Sequence, residues 1–157
     1  MPELWALARS GGAPLLLGEI DMTPGWVAAI VESRIVQLLA RIALVATFVV
    51  PGVTQATQFQ GSLGDFAHFN LNPPAVYVTA SIITLLAGSV LVILGGRWTW
   101  LGAGALGVYT GLTVLIVHHF WTMQGADWLN EMRTTLEHVG LIGGLILVSS
   151  LENQRAK

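Results

Sequence analysis

The chain has 157 residues, 54% of them hydrophobic and only 10% charged, with a formal net charge of −2 and no cysteine. Soluble domains carry about 25% charged residues, so this composition lacks the polar surface of a water-soluble globule and points to an integral membrane protein. Seven Lys and Arg make no basic stripe, which excludes a nucleic-acid partner, and without cysteine there is no disulfide, thiolate metal site or iron–sulfur cluster.

Residues 1–34 read as an N-terminal segment. Glu3, Glu19 and Asp21 fall among prolines, with no basic region leading into a cleavable apolar run, so a secretory signal is not expected. Thr23-Pro24 reads as N-cap and first helical position. Trp26, Ile30 and Val31 then fall on one side of Glu32 and Arg34, which describes a helix lying on the membrane surface. Residues 1–22 fit either that surface segment or a mobile tail.

A helix crossing the hydrocarbon core needs about 20 mostly apolar residues. Four such runs follow, at 35–56, 74–94, 98–121 and 132–151. The second opens on a proline pair suited to a first helical turn and closes at Gly95-Gly96. The third holds no charged residue and is bracketed by tryptophans suited to the two lipid interfaces. The expected fold is all-α: an integral membrane four-helix bundle over 35–151, an interfacial helix before it and a tail at 152–157. The long connection at 57–73 carries Phe59, Phe66, His68 and Phe69, and is expected to fold back over one mouth of the bundle as a lid.

Four alternating spans put both termini on one side, together with Arg9, Arg34, Arg41, Arg97, Arg155 and Lys157; only Arg133 lies opposite. The positive-inside rule makes the terminal side cytoplasmic, in a plasma membrane of the bacterial inner-membrane type. His68, His118, His119 and His138 then gather at the outer face with Asp65, Asp127 and Glu131.

Membrane helices associate through close backbone approach, so small residues mark candidate contact faces. Gly104, Gly107 and Gly111 form a stripe on the third span that continues through Val114 to His118. Gly140 and Gly144 form another on the fourth, reaching back to Glu137. On the first span Arg41, Val45, Phe48, Gly52 and Gln55 share a face, and on the second Tyr77, Ser81, Thr84 and Gly88 do. Gln55, Tyr77, His118 and Glu137 thus converge at similar depth as a polar pocket, with Trp121 and His138 at its rim.

Each of these has a plainer reading as an interfacial hydrogen-bonding group. Glu137 is expected about 9 Å inside the fourth span, where a carboxylate is costly, so it either handles protons or is clamped by Arg133 one turn earlier. A bis-His haem between His118 or His119 and His138, or a metal held by Asp65, His68 and His118, has no supporting pattern around it, and no metal or haem is expected. No Gly-rich phosphate loop, nucleophile elbow or HExxH motif is present.

The order of these features resembles the DoxX-like small membrane proteins over roughly residues 35–150. The likeness rests on Pro51-Gly52 and Phe59, the run from Ala87 to Gly95, the His118-His119-Phe120-Trp121 end, and Leu136-Glu137-His138-Val139-Gly140 continuing to Leu145. It implies a four-helix bundle and, for some relatives, a place as small subunit beside quinone-linked oxidation systems. The chain departs from the family where members frequently carry Lys at Gln55, Glu at Thr84 and Lys-Asn at Glu137-His138; His118 matches directly. Two functions are therefore expected. One is a redox-system subunit binding a quinone-like or other amphipathic molecule, with Glu137 and His118 as acid–base and hydrogen-bonding groups and Gln55, Tyr77, Trp121 and His138 around the ligand. The other is a non-catalytic scaffold or assembly factor for another membrane protein. Membrane lipid and a redox or other membrane protein are the expected partners, and a homo-oligomer is compatible with the Gly-rich faces.

The distribution of basic residues makes a direct prediction. A reporter fused after Lys157 is expected to be active in the cytoplasm and one inserted near Gly125 to report the outside; the reverse pattern would overturn the placement of the histidines.

Overall fold

The computed structural model describes residues 23–155, which divide into two compact units at Ser33–Arg34. In the first unit, α1 (Gly25–Glu32) buries none of its residues and leaves Trp26, Ile30 and Val31 exposed. Pro24 is its N-cap rather than its first helical residue, and the Pro24 carbonyl accepts from the N–H groups of Val27 and Ala28 at 2.8 and 3.1 Å. The surface-segment and tail readings of residues 1–22 lie outside the described residues.

The second unit holds α2 (Arg34–Thr57), α3 (Phe59–His68), α4 (Pro74–Leu94), α5 (Thr99–Ile116) and α6 (Gly125–Arg155), with 3-10 turns at Gly96–Trp98 and Phe120–Thr122. Four segments, built on α2, α4, α5 and α6, are long and apolar enough to cross a membrane. Their outward side chains, Ile83, Val108 and Leu147 among them, are about two-thirds exposed, as a lipid-facing surface requires. α4 packs between α2 and α5, and α6 packs on α5, whereas α2 meets α6 only over a short stretch. The core is Val45 and Phe48 of α2, Leu85 and Val92 of α4, Ala103 and Leu106 of α5 and Leu145 of α6.

The second span matches its expected bounds: Pro74 enters the helix within its first turn, and Gly95 caps it with φ +73°. The other ends differ. α5 stops at Ile116, so His118 lies beyond the helix, where Val117 and His118 both turn their N–H groups onto the Thr113 carbonyl at 2.8 and 3.2 Å. α6 begins at Gly125, seven residues before the expected start. It also runs on to Arg155, so Glu152 is helical and bundled and the tail does not begin at 152.

The reason lies in Glu152. Its carboxylate pairs with the Arg41 guanidinium of α2, with side chains only 11% and 14% exposed, and its Oε2 accepts from the Gly96 N–H at 2.7 Å. Arg41 lies against Gly95, where a Cβ would collide with the guanidinium, so glycine is needed there for room as well as for its positive φ. One ion pair thereby ties α2, the α4–α5 turn and α6 at one end of the bundle.

The contact faces also correct the glycine reading. A Cβ on Gly102 would lie 2.6 Å from the Gly88 carbonyl oxygen and 2.7 Å from Leu91 Cβ, and one on Gly52 would lie 2.9 Å from Leu86 Cδ2. These are the close approaches of α4 with α5 and of α2 with α4. A Cβ on Gly104, Gly107, Gly111 or Gly140 would meet nothing within 4 Å. At about 100° per residue, Gly104 sits some 200° around α5 from Gly102, nearly opposite the buried face.

Two outcomes follow. Gly102→Ala forces a Cβ into backbone that cannot give way and is expected to destabilise by about 1–3 kcal/mol, while Gly107→Ala costs nothing comparable; detergent-phase thermal melts of both variants check this. Arg41→Met or Glu152→Met alone leaves a sheltered charge unpaired and is expected to cost about 3–5 kcal/mol, most of it recovered in the double variant. Singles that melt like the wild type would remove the tie.

Candidate functional site

Along α5 and just past its end, from Trp100 and Leu101 to Val117 and His118, the helices border an open cavity of about 1010 Å³. Its walls are mostly apolar, with Phe48, Leu85, Val108, Ile116 and Leu141 among them. Gln55, Tyr77, His118, Glu137 and His138 all border it. Trp121 does not: it is 54% exposed on the Phe120–Thr122 turn, edge-on to Phe120 and His119.

Each group is set by its local chain. On α2 the period places Val45, Phe48 and Gly52 in the core and carries Gln55 to the cavity one turn later, as expected. Pro51 borders the cavity as well, and having no N–H it leaves the Thr47 carbonyl without its helical donor. On α4, Ser81 is 4% exposed; its Oγ lies 2.7 Å from Gln55 Oε1 and 2.9 Å from Tyr109 Oη of α5, linking three helices across the cavity wall.

His118 pairs with Glu131 of α6 rather than bordering the cavity as a lone ring. Its Nδ1–H donates to Glu131 Oε2 at 2.7 Å, and its ring packs against His138 with centroids 4.9 Å apart. His138 in turn donates from Nδ1 to the Thr134 carbonyl at 2.7 Å. Glu137 borders the cavity as an exposed residue, and neither it nor Arg133 forms an ion pair among the described residues, so the Arg133 clamp is not made. Among the described residues no three of His, Asp and Glu converge as a metal-holding group, Asp65, His68 and His118 included.

The connection after α2 is a helix rather than an open loop. α3 ends in a Schellman turn: Asn70 takes φ +59°, its N–H donates to the Ala67 carbonyl at 3.0 Å, and Leu71 N–H reaches the Phe66 carbonyl at 3.1 Å. Phe66 and Leu71, the apolar pair this motif brings together, both border the cavity with Asp65 and Phe69. Phe59 is half-buried elsewhere, and His68 is exposed with its ring edge-on to Phe69.

Sequence reasoning missed Tyr109, Ser81 as a linker, and Glu131 as the His118 partner. Tyr109 carried a readable signal, since a phenol in the middle of an uncharged span needs a hydrogen-bond partner. Glu131 carried one in the short connection that returns the chain from His118 to α6.

Comparison with known proteins fits this architecture. Residues 36–119, from the start of α2 to just past His118, match the DoxX family. The inner membrane protein YphA of Escherichia coli (strain K12) is 27% identical over 112 residues, covering 71% of this chain and 79% of that protein. No solved structure matches the chain significantly. The family match ends before α6, short of the expected likeness to residue 150, but it spans more than half of the sequence: this multi-pass membrane protein belongs to the DoxX family.

Proposed function

We propose that the chain is an inner-membrane subunit that holds a quinone-like amphipathic molecule in the cavity among α2–α6, in support of a partner oxidoreductase. In this reading both termini are cytoplasmic and the histidine end faces outward. The observation that carries the reading is the cavity itself. About 1010 Å³ of mostly apolar space bordered by a few fixed polar groups falls at the upper end of the range of about 300–1,000 Å³ usual for small-molecule sites.

The residues divide the work. Glu131 holds the His118 ring through Nδ1, which leaves Nε2 as the remaining hydrogen-bonding atom for a ligand oxygen. Glu137, unpaired at the cavity's edge, exchanges the proton that accompanies redox change of a bound head. Phe66 and Phe69 of α3 cover apolar ligand surface and restrict water. A quinone head supplies two-electron chemistry when bound, and the electrons belong to a partner's own redox centre.

The test uses the purified chain in nanodiscs with decylubiquinone, followed by quenching of tryptophan fluorescence, since Trp100 borders the cavity. Saturable binding is expected, and His118→Ala is expected to weaken it by about 1–3 kcal/mol, roughly 5- to 150-fold. Glu137→Gln is expected to keep fold, thermal stability and binding while partner-dependent quinone turnover falls by about 10²-fold. A chain that binds no quinone would leave the scaffold reading in front.

A further inference from the structure

Ser81 offers one proton and has two oxygen neighbours, which fixes the direction of the chain it belongs to. Gln55 Oε1, at 2.7 Å, is a carbonyl oxygen that only accepts, so the Ser81 hydroxyl donates to it. Ser81 Oγ then meets Tyr109 Oη, at 2.9 Å, by accepting the phenol's proton. Donation runs from Tyr109 to Ser81 to Gln55, and each hydroxyl proton along it is used. The Gln55 carbonyl oxygen is engaged, and what this side chain keeps for the cavity is its NH₂ group, two donors with no other partner among the described residues. Ser81 is 4% exposed, so water does not compete for the arrangement. Tyr77 and Thr84 also border the cavity, but a hydroxyl can donate or accept and imposes no polarity.

We infer that the Tyr109–Ser81–Gln55 chain makes this wall of the cavity a hydrogen-bond donor, so that the site selects a ligand head presenting a carbonyl-type oxygen over the same head reduced to a hydroxyl. A carbonyl accepts from Gln55 with nothing left over. A hydroxyl that accepts the same bond keeps its own proton, and the acceptors of this chain, Gln55 Oε1 and Ser81 Oγ, are already engaged, so beside Gln55 the reduced head is disfavoured. Gln55 is the group that touches the ligand; Ser81 and Tyr109 are positioning residues that hold its amide in one of two possible orientations. The inference rests on the cavity being the ligand site and adds which redox form that site prefers.

The experiment compares decylubiquinone with decylubiquinol, the latter kept reduced without oxygen, on the full chain in nanodiscs by tryptophan quenching. The wild type is expected to hold the oxidised form about tenfold more tightly. Gln55→Leu is expected to bring the ratio to about one by weakening the oxidised form more than the reduced one. Gln55→Glu, whose carboxylate only accepts, is expected to reverse the ratio. Ser81→Ala frees the amide to turn and is expected to bring the ratio toward one while both forms still bind, a change that a merely structural role for Ser81 does not produce. Size-exclusion profiles and thermal melts establish that each variant is folded, and because the readout is a ratio measured on one sample, loss of folded protein does not imitate the effect. Equal affinity for both forms in the wild type overturns the inference and leaves the ligand site standing. So does a ratio abolished by Tyr109→Phe but kept in Gln55→Leu, because the phenol would then be the group that meets the ligand. Binding of neither form overturns the ligand-site reading and the inference with it.

Discussion

The bundle depends on a single tie between residues 111 positions apart. Arg41 near the start of α2 and Glu152 near the end of α6 meet over Gly95 and Gly96, the turn between α4 and α5, so three crossings are fixed at one point. In lipid, apolar side chains gain little by exchanging lipid tails for one another, and α2 has only a short contact with α6. A sheltered ion pair whose separation would strand two charges supplies what apolar contact cannot. Gly144 helps next to it, since a Cβ there would lie 3.1 Å from Leu44 Cδ1.

The cavity runs alongside the tied helices, from Trp100 of α5 to His118 just past its end. Beyond the core layer of Val45, Phe48, Leu85, Leu106 and Leu145, residues of α2 and α6 border the cavity instead of forming a continuous contact. α3 follows without a break in the chain's logic: Gln58 ends the helical run of α2, and the Schellman turn at Asn70 brings Phe66 and Leu71 back over the opening. The proposed ligand site takes its polar character from Gln55, Ser81 and Tyr109 on one side, from His118 and His138 on another, and from Asp65, Tyr77, Thr84 and Glu137 at its border.

How much of this was legible depends on which information each feature carries. The four spans and the inward faces of α2 and α4 were readable because apolar run length and helical period are local properties, and Val45, Phe48, Gly52, Ser81 and Gly88 are buried as that period requires. On α5 the same method selected Gly104, Gly107 and Gly111, which face open space, because glycine is compatible with a contact without requiring one and Gly102 looks no different in sequence. His118 was placed at the cavity by extending a helical stripe past the residue where the helix ends, so its position was right and the path to it was not. Arg41 with Glu152 was out of reach altogether. Each reads as an ordinary charge near a span's end, and only the folded topology brings them together.

The positions at which this chain departs from residues common among DoxX-like proteins fall together in the structure. Gln55, Thr84, Glu137 and His138 all border one cavity, although they come from three helices. Here the wall at Gln55 is a neutral amide held by a hydroxyl and a phenol, and the ionisable Glu137 and His138 border the cavity from α6. Shared helices with a rearranged cavity mean that family membership fixes the scaffold and leaves the ligand to be read from these side chains. In the proposed reading, a neutral amide wall with the Glu137 carboxyl at the cavity's edge suits a head that changes its protonation when it changes its oxidation state, and suits a permanently charged ligand poorly.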